Sequence, residues 1–439
     1  MHKKLSLSVL TSLVVGNMIG SGIFLLPSSL AQYGSITILS FIATAVGAML
    51  LACVFSKLST LFPKTGGPYV YCKEGFGDFI GFQVAYNYWI YMWAGNAAVA
   101  VALSGYLKFF IPSIAHSSFY LFLTSTTTIW FLTLINIKGV HLAGRFQLML
   151  TILKVLPLLL IASIGVFFID VSNLLQFNIS TESNLSAFSG GAMLTLWAFL
   201  GLESASIPAD NVLNPKRDIP LATIFGTLLT AIVYILATIS IMGVVPMTEL
   251  QQSTAPFALL AEKIMGPVGM YIIGLCAIIS CVGALNGWIL LQGHIPYAAA
   301  KDKMFPSAFG KLSKNGVPVF GTVISTILIN ILLFLNYNKS LVEQFTLIIS
   351  LATLSALIAY IYTSASEFTI YLKHPDKVNR EHVRKTLAVS SLAFIYSFWA
   401  LFGAGPQTVF YGTLLMFSSV PLFGWMQWKK SRKIFNEKY

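Results

Sequence analysis

Two runs of this sequence could do chemistry without making or breaking a bond. The first is VVGNMIGSGIFLLP, in which Gly16, Gly20 and Gly22 fall within seven residues. The second is LWAFLGLESASIP, which carries Gly201, Glu203 and then small polar residues. Glycine at a helix centre costs about 1 kcal/mol against alanine, so each run reads as a helix interrupted in mid-course. In both, a glycine precedes a proline by seven positions, Gly20 to Pro27 and Gly201 to Pro208. An unwound segment frees N–H and C=O groups. The N-terminus of a resumed half-helix offers N–H groups and a positive dipole end to a carboxylate. Freed carbonyls at the opposite end accept from an ammonium. A solute bearing both groups, such as an α-amino acid, is the natural occupant of such a pair of breaks. Close packing through small residues is the competing explanation of GNMIGSG, but its glycines cover several helix faces rather than one.

Two ionisable residues stand out beside these runs. Glu203 lies at the second interruption, and Lys154 lies ten residues into an apolar stretch, shortly before Pro157. A charge at the centre of a spanning helix costs about 2.5–3.5 kcal/mol on insertion scales, so such groups are functional candidates by default. The alternative for each is a static structural pair. Enzymatic constellations are missing from the sequence: there is no HExxH, no paired aspartate and no histidine–cysteine cluster, so neither a metal nor a cofactor is expected. Nothing resembles a phosphate-binding loop.

These residues need elements to position them, and composition says which. Hydrophobic residues make up 56% of the 439 and charged residues 10%, against roughly 25% charged in a soluble chain. Twelve stretches are long and apolar enough to span a bilayer. They run over 8–32, 36–60, 79–112, 118–136, 144–168, 188–209, 219–246, 268–298, 318–336, 344–371, 386–404 and 406–428. The expected fold is therefore an all-α, twelve-helix membrane protein forming a single domain over 1–439. These runs are too long, and lack the alternation, for a β-barrel.

The net charge of +12 would suggest nucleic acid in a soluble chain, but its distribution argues otherwise. With the N-terminus placed in the cytoplasm, 23 of the 27 Lys and Arg fall in cytoplasmic segments, among them Lys3, Lys4, Lys64, Lys73, Lys301, Lys377 and Arg380. Lys108, Lys263 and Lys339 fall outside, and Lys154 within a span. This is the positive-inside pattern. It predicts a multi-pass protein of the inner or plasma membrane with both termini cytoplasmic and no nucleic-acid partner. The WKKSRK tail then serves as an anchor near lipid headgroups. Glu367 and Lys108, near span ends, read as snorkelling residues, and PKTGGPY (63–69) reads as a turn.

Interrupted helices at matching places in two halves point to an inverted-repeat carrier, with repeats at 8–168 and 188–371 and two further helices at 386–428. On the motifs GNMIGSGIFLLP, FPKTGGPYVY, YWIYMWAGN, LWAFLGLESAS, NPKRDIP and NGWILL, in that order, the chain resembles the amino acid–polyamine–organocation superfamily. Within it, the similarity is greatest to basic amino acid and polyamine antiporters of the arginine/agmatine type. The resemblance implies that the Ser21 and Gly22 backbone N–H groups hold a substrate carboxylate. It also implies that carbonyls of Met18, Trp197 and Leu200 hold the α-ammonium. Trp197 would cap the site, Trp288 would stack on the substrate and Asn96 would bond its far end. Glu203 would link the sixth helix to the gates, Tyr88 and Tyr360. Tyr91, Met92 and Ala352 depart from that type, and Lys154 is similar to the fifth-helix lysine of sodium-independent or proton-coupled relatives. The expected function is secondary transport of an amino acid or polyamine; a channel or a transporter-like sensor is the alternative. Exchange against proton symport, and assembly as a homodimer, stay open at this point.

Overall fold

The computed structural model describes residues 4–113, 117–374 and 383–438; Lys3, Lys377 and Arg380 lie outside them. The described residues are mostly helical. In order come α1 (Leu7–Met18), α2 (Ser21–Leu30), α3 (Ile36–Leu61), α4 (Pro68–Phe76), α5 (Asp78–Phe110) and α6 (Ser118–Ile137). There follow α7 (Val140–Gly165), α8 (Val171–Leu174), α9 (Asn184–Phe199), α10 (Pro215–Val244), α11 (Met247–Gln252) and α12 (Pro256–Leu291). The last are α13 (His294–Lys301), α14 (Val319–Asn336), α15 (Leu341–Lys373), α16 (Val383–Ala400) and α17 (Pro406–Lys438). Twelve candidate spans result, counting α1 with α2 as one and α12 with α13 as one.

Local chemistry sets several helix starts. Ser117, Ser183 and Ser340 each accept a backbone N–H of the first turn through the side chain, satisfying donors that a helix start leaves orphaned. At Ser340 the reciprocal bond from Glu343 completes a capping box. The expected eighth span, 268–298, starts where the helix resumes at Pro267; α12 also takes in a preceding helix from Pro256, set off by Gly266, whose φ of +70° is not helical. PKTGGPY is more than a turn, because Pro68 at the first position opens the short helix α4.

The first, third and sixth spans are the most enclosed, and the fourth, eleventh and twelfth turn most of their surface outward. The bundle is thus a core of broken and polar helices inside a lipid-facing jacket of Phe131, Leu134, Leu392, Phe398, Phe410 and Phe417. One end of the bundle, here the basic face, gathers the loop before α4, the segment 209–214 and the loop after α13. There Leu5 pairs with Val212 in an isolated parallel bridge, tying the N-terminal segment to the chain after the sixth span.

α1 meets α7 along one line of side chains. Gln147, Thr151 and Lys154, spaced four and three apart, share a face of α7. Thr151 Oγ1 donates to the Ser12 carbonyl at 3.1 Å. Gly16 makes the approach possible: a Cβ there would stand 2.2 Å from Gln147 Nε2 and 2.6 Å from Thr151 Oγ1. Gly16→Val should therefore lower the melting temperature of the purified protein through overpacking, typically worth about 1–3 kcal/mol. Gly424→Ala on α17, where nothing lies within 4 Å of an added Cβ, should leave it unchanged. A Gly16 variant as stable as the wild type would show that the α1–α7 contact is loose.

Candidate functional site

Both expected interruptions are present. α1 stops at Met18, Ile19 and Gly20 leave helical geometry, and α2 resumes at Ser21. α9 stops at Phe199, Leu200 is extended, and Gly201 takes φ +114°, a value that an L side chain rarely adopts. Beyond this second break the chain does not resume as an α-helix. It continues in 3-10 turns at Ser204–Ser206 and Ala209–Asn211, where the small polar residues and Pro208 fail to support a regular helix.

The break in the first span exposes four consecutive carbonyls, and each accepts from a different side chain. Lys154 Nζ on α7 donates to the Gly16 carbonyl at 2.5 Å. Trp288 Nε1 on α12 donates to Asn17 at 3.3 Å. The Tyr234 hydroxyl on α10 donates to Met18, and Ser280 Oγ on α12 donates to Ile19 at 3.2 Å. A helix C-terminus leaves four carbonyls without intrahelical partners, and hydrocarbon offers no substitute. Three scaffold helices supply what water would. Lys154 is fully buried, with Cys281 and Gly283 of α12 beside its ammonium. A cation on the negative end of α1 is favourable electrostatically.

The two breaks enclose a cavity of about 10 Å³ lined by Asn17, Met18, Gly20, Gly22, Tyr91, Val99, Trp197, Leu200 and Trp288. In this conformation it holds at most one water. Two tryptophans close on it. Trp197 is wedged between helix backbones: a Cβ on Gly22 would lie 3.3 Å from its Cδ1, and one on Gly95 3.0 Å from its Cη2. Trp288 meets Tyr91 edge-on at 5.3 Å and 79°, and lies against Gly201. Of the residues expected here, Met18, Gly22, Trp197, Leu200 and Trp288 line this cavity, and Ser21 opens the helix beside it. The Met18 carbonyl, however, already accepts from the Gly20 N–H at 2.9 Å as well as from Tyr234. Tyr91, read from the sequence only as a departure, proves to be part of the wall.

Asn96 is not among the lining residues. Its amide donates to Gln292 Oε1 at 2.9 Å, and Gln292 in turn donates to the Thr322 carbonyl at 3.1 Å and reaches Thr326 Oγ1 at 3.3 Å. This is a helix-to-helix link, with Asn96 Oδ1 left buried and unpartnered among the described residues.

Glu203 is fully buried and gathers the gating candidates around its carboxylate. The Tyr88 hydroxyl of α5 donates to Oε1. The Tyr360 hydroxyl of α15 donates to Oε2 at 2.5 Å, and the Gly201 N–H approaches the same oxygen at 3.3 Å. Tyr88 packs on Tyr91 at 5.1 Å, so an aromatic chain runs from Trp288 to the carboxylate. The second break is fastened to the first by Asn17 Nδ2, which donates to Ser204 Oγ at 2.9 Å. Glu367 differs from expectation. It is not a snorkelling residue but is buried, with the Tyr371 hydroxyl donating to it at 2.8 Å and Ser390 of α16 donating to its other oxygen.

Comparison with known proteins accords with this arrangement. A family model described as amino acid permease matches residues 5–425. The chain is 33% identical to the putrescine transporter PotE of Haemophilus influenzae over 428 residues, covering 97% of this chain and 98% of that one. It is 33% identical to the putrescine transporter PotE of Escherichia coli, covering 96% and 95%. It is 32% identical to a cadaverine/lysine antiporter of Escherichia coli, covering 92% and 90%. With twelve apolar spans, two of them broken around one small cavity, and a family match across almost its whole length, this chain belongs to the amino acid permease family of the amino acid–polyamine–organocation superfamily.

Proposed function

We propose that this membrane permease exchanges an amino acid and a polyamine by alternating access around the cavity between the two breaks. The observation that carries the reading is the meeting of both breaks, both tryptophans and the Tyr88–Glu203–Tyr360 cluster at one level of the bundle. Relatives along nearly the full length are named for putrescine, cadaverine and lysine, which share amine groups. In this reading the basic face is cytoplasmic, as the lysine and arginine distribution predicts, both termini lie there, and the protein sits in the inner or plasma membrane. The spans over 8–168 and 188–371 act as inverted repeats.

The carboxylate of an amino acid substrate meets the Ser21 and Gly22 N–H groups at the start of α2, where the helix dipole favours an anion. Its ammonium meets the carbonyls of Trp197 and Leu200. The Met18 carbonyl joins them only when Tyr234 lets go. A distal ammonium stacks on Trp288. Trp197 closes the outer side and the Glu203 cluster the basic side. Opening toward the basic face requires Tyr88 and Tyr360 to release Glu203, and protonating that carboxylate weakens both charge-assisted bonds.

Counterflow in proteoliposomes tests the reading directly. Internal lysine or putrescine should accelerate uptake of the labelled partner, and a panel showing no trans-stimulation by any amine would overturn it.

Three substitutions test the roles. Trp288→Ala should weaken amine binding by about 30-fold, the loss of a desolvated cation–π contact of about 2 kcal/mol, in protein that still elutes as a folded monodisperse species. An unchanged binding isotherm would remove Trp288 from the site. Glu203→Gln should flatten the pH dependence of exchange, because an amide neither titrates nor accepts from both tyrosines at full strength. A variant with the wild-type pH profile would show that the sensor lies elsewhere.

Lys154 Nζ donates to the Gly16 carbonyl at the break and in this reading takes the place of a bound sodium ion, so exchange should proceed unaltered when choline replaces sodium. Lys154→Ala should abolish or uncouple it. Sodium dependence in the wild type, or wild-type coupling in the variant, would reduce Lys154 to a packing residue.

A further inference from the structure

A cavity of about 260 Å³ opens at the basic face between the loop before α4, the turn at Ala209–Asn211 and the end of α13. Its lining includes three lysines and three carboxylates. Four of the six neutralise one another. Lys73 Nζ bonds Asp302 Oδ2 at 2.6 Å, and Lys64 Nζ approaches Glu74 Oε1 at 3.5 Å. The Tyr69 hydroxyl also donates to Asp302 Oδ2, at 2.6 Å. Burial opposes ionisation of Asp302, yet the bonds from Lys73 and Tyr69, with the Lys73 and Lys64 charges, outweigh it and hold its carboxyl below the usual range. The Lys73–Asp302 pair thus forms part of the wall. Burial, and then the bond to Asp302, push the Tyr69 hydroxyl up, so Tyr69 stays a donor.

The remaining two charges have no ion-pair partner among the described residues. Lys301 holds its ammonium 5.5 Å from the centre of the Tyr297 ring. Asp210 is positioned through its backbone, whose N–H donates to Thr65 Oγ1 at 3.2 Å. One cation and one anion thus face one cavity without compensation. That complement fits a zwitterion. It does not fit a diamine, whose second ammonium would be driven against Lys301.

The location gives the cavity a use. Its wall presses on the chain just past the second break: the Gly66 N–H donates to the Ile207 carbonyl at 3.0 Å, and a Cβ on Gly67 would meet Ser206 Oγ at 2.8 Å. Ser206 Oγ donates in turn to the Glu203 carbonyl at 2.7 Å. An occupant of the cavity therefore lies within one short segment of the residue that fastens the gate.

We propose that this cavity is a second, low-affinity site on the basic face that takes an α-amino acid, with Lys301 on its carboxylate and Asp210 on its ammonium, and discriminates against diamines. The inference rests on the proposed function only in taking amine solutes to pass this mouth. The site is open to water, so its charge pairs are weak and the occupant exchanges freely with the solution.

The test labels a cysteine placed in the wall, Ala298→Cys, with a maleimide, and reads the labelled peptide by mass spectrometry. The background is full-length Trp288→Ala, so that protection reports this cavity rather than the central one. L-Lysine should slow alkylation, and putrescine should slow it less. Asp210→Asn or Lys301→Gln should each weaken lysine protection by about five-fold. Lys301→Gln should bring putrescine level with lysine. No slowing by lysine, slowing that survives both substitutions, or equal protection by lysine and putrescine in the presence of Lys301 would overturn the proposal. Protection that holds while wild-type protein in proteoliposomes shows no exchange supports this site and counts against the proposed function alone.

Discussion

The rest of the structure depends on one constraint: backbone carbonyls freed inside a hydrocarbon slab must find donors within the protein. The end of α1 frees four in succession, at Gly16, Asn17, Met18 and Ile19. The donors come from Lys154, Trp288, Tyr234 and Ser280, carried by α7, α12 and α10. Three long helices are therefore obliged to converge on a single turn. Their convergence leaves a pocket at that turn rather than a continuous packed core. The pocket is a consequence of satisfying the backbone, and the converse occurs where Gly201 turns the sixth span and its N–H approaches the Glu203 carboxylate.

This explains which parts were legible in the sequence. Apolar length marks spans whatever their partners; of the glycines, Gly201 marks a break because other residues rarely adopt its φ of +114°, while Gly16 serves the close approach of α7. Lys154 and Glu203 stand out because charge in an apolar run needs a reason. Tyr234, Ser280 and Gln292 carry no such mark. A hydroxyl or an amide on a spanning helix is unremarkable until the fold shows a freed carbonyl or a second amide in front of it. Glu367 was misread for a related reason. Its place near a span end suggests water, but α16 packs over it and puts Ser390 on its carboxylate. That contact lies between elements and leaves no local trace. The helix α4 was hidden in the same way behind its glycines, which mark a turn whether or not a helix follows.

The two sides of the pocket are held by different chemistry, and the difference has a mechanical meaning. Toward α7, α10 and α12 the unwound chain is gripped through its own carbonyls, which no substitution at the break can remove. Toward α5 and α15 it is gripped through one side chain, Glu203, by two tyrosine hydroxyls. The first grip involves four separate donors, so losing one leaves the others in place. The second passes through one carboxylate, so a single protonation or a competing ammonium acts on both tyrosines at once. α1 is thus held at four backbone points, and the chain beyond Gly201 at the Glu203 carboxylate and through contacts of Ser204, Ile207 and Val212.

Trp288 ties the cavity wall to that asymmetry. Its indole N–H holds the Asn17 carbonyl, its ring forms a cavity wall, and its edge contact reaches Tyr91 and through it Tyr88. A cation stacking on the indole must displace or tilt the rings that now fill the space, because a cavity of about 10 Å³ cannot admit it otherwise. Tilting Tyr91 presses on Tyr88, whose hydroxyl is one of the two that fasten Glu203. From Trp288 through Tyr91 and Tyr88 to Glu203 the side chains are thus in direct van der Waals and hydrogen-bonded contact.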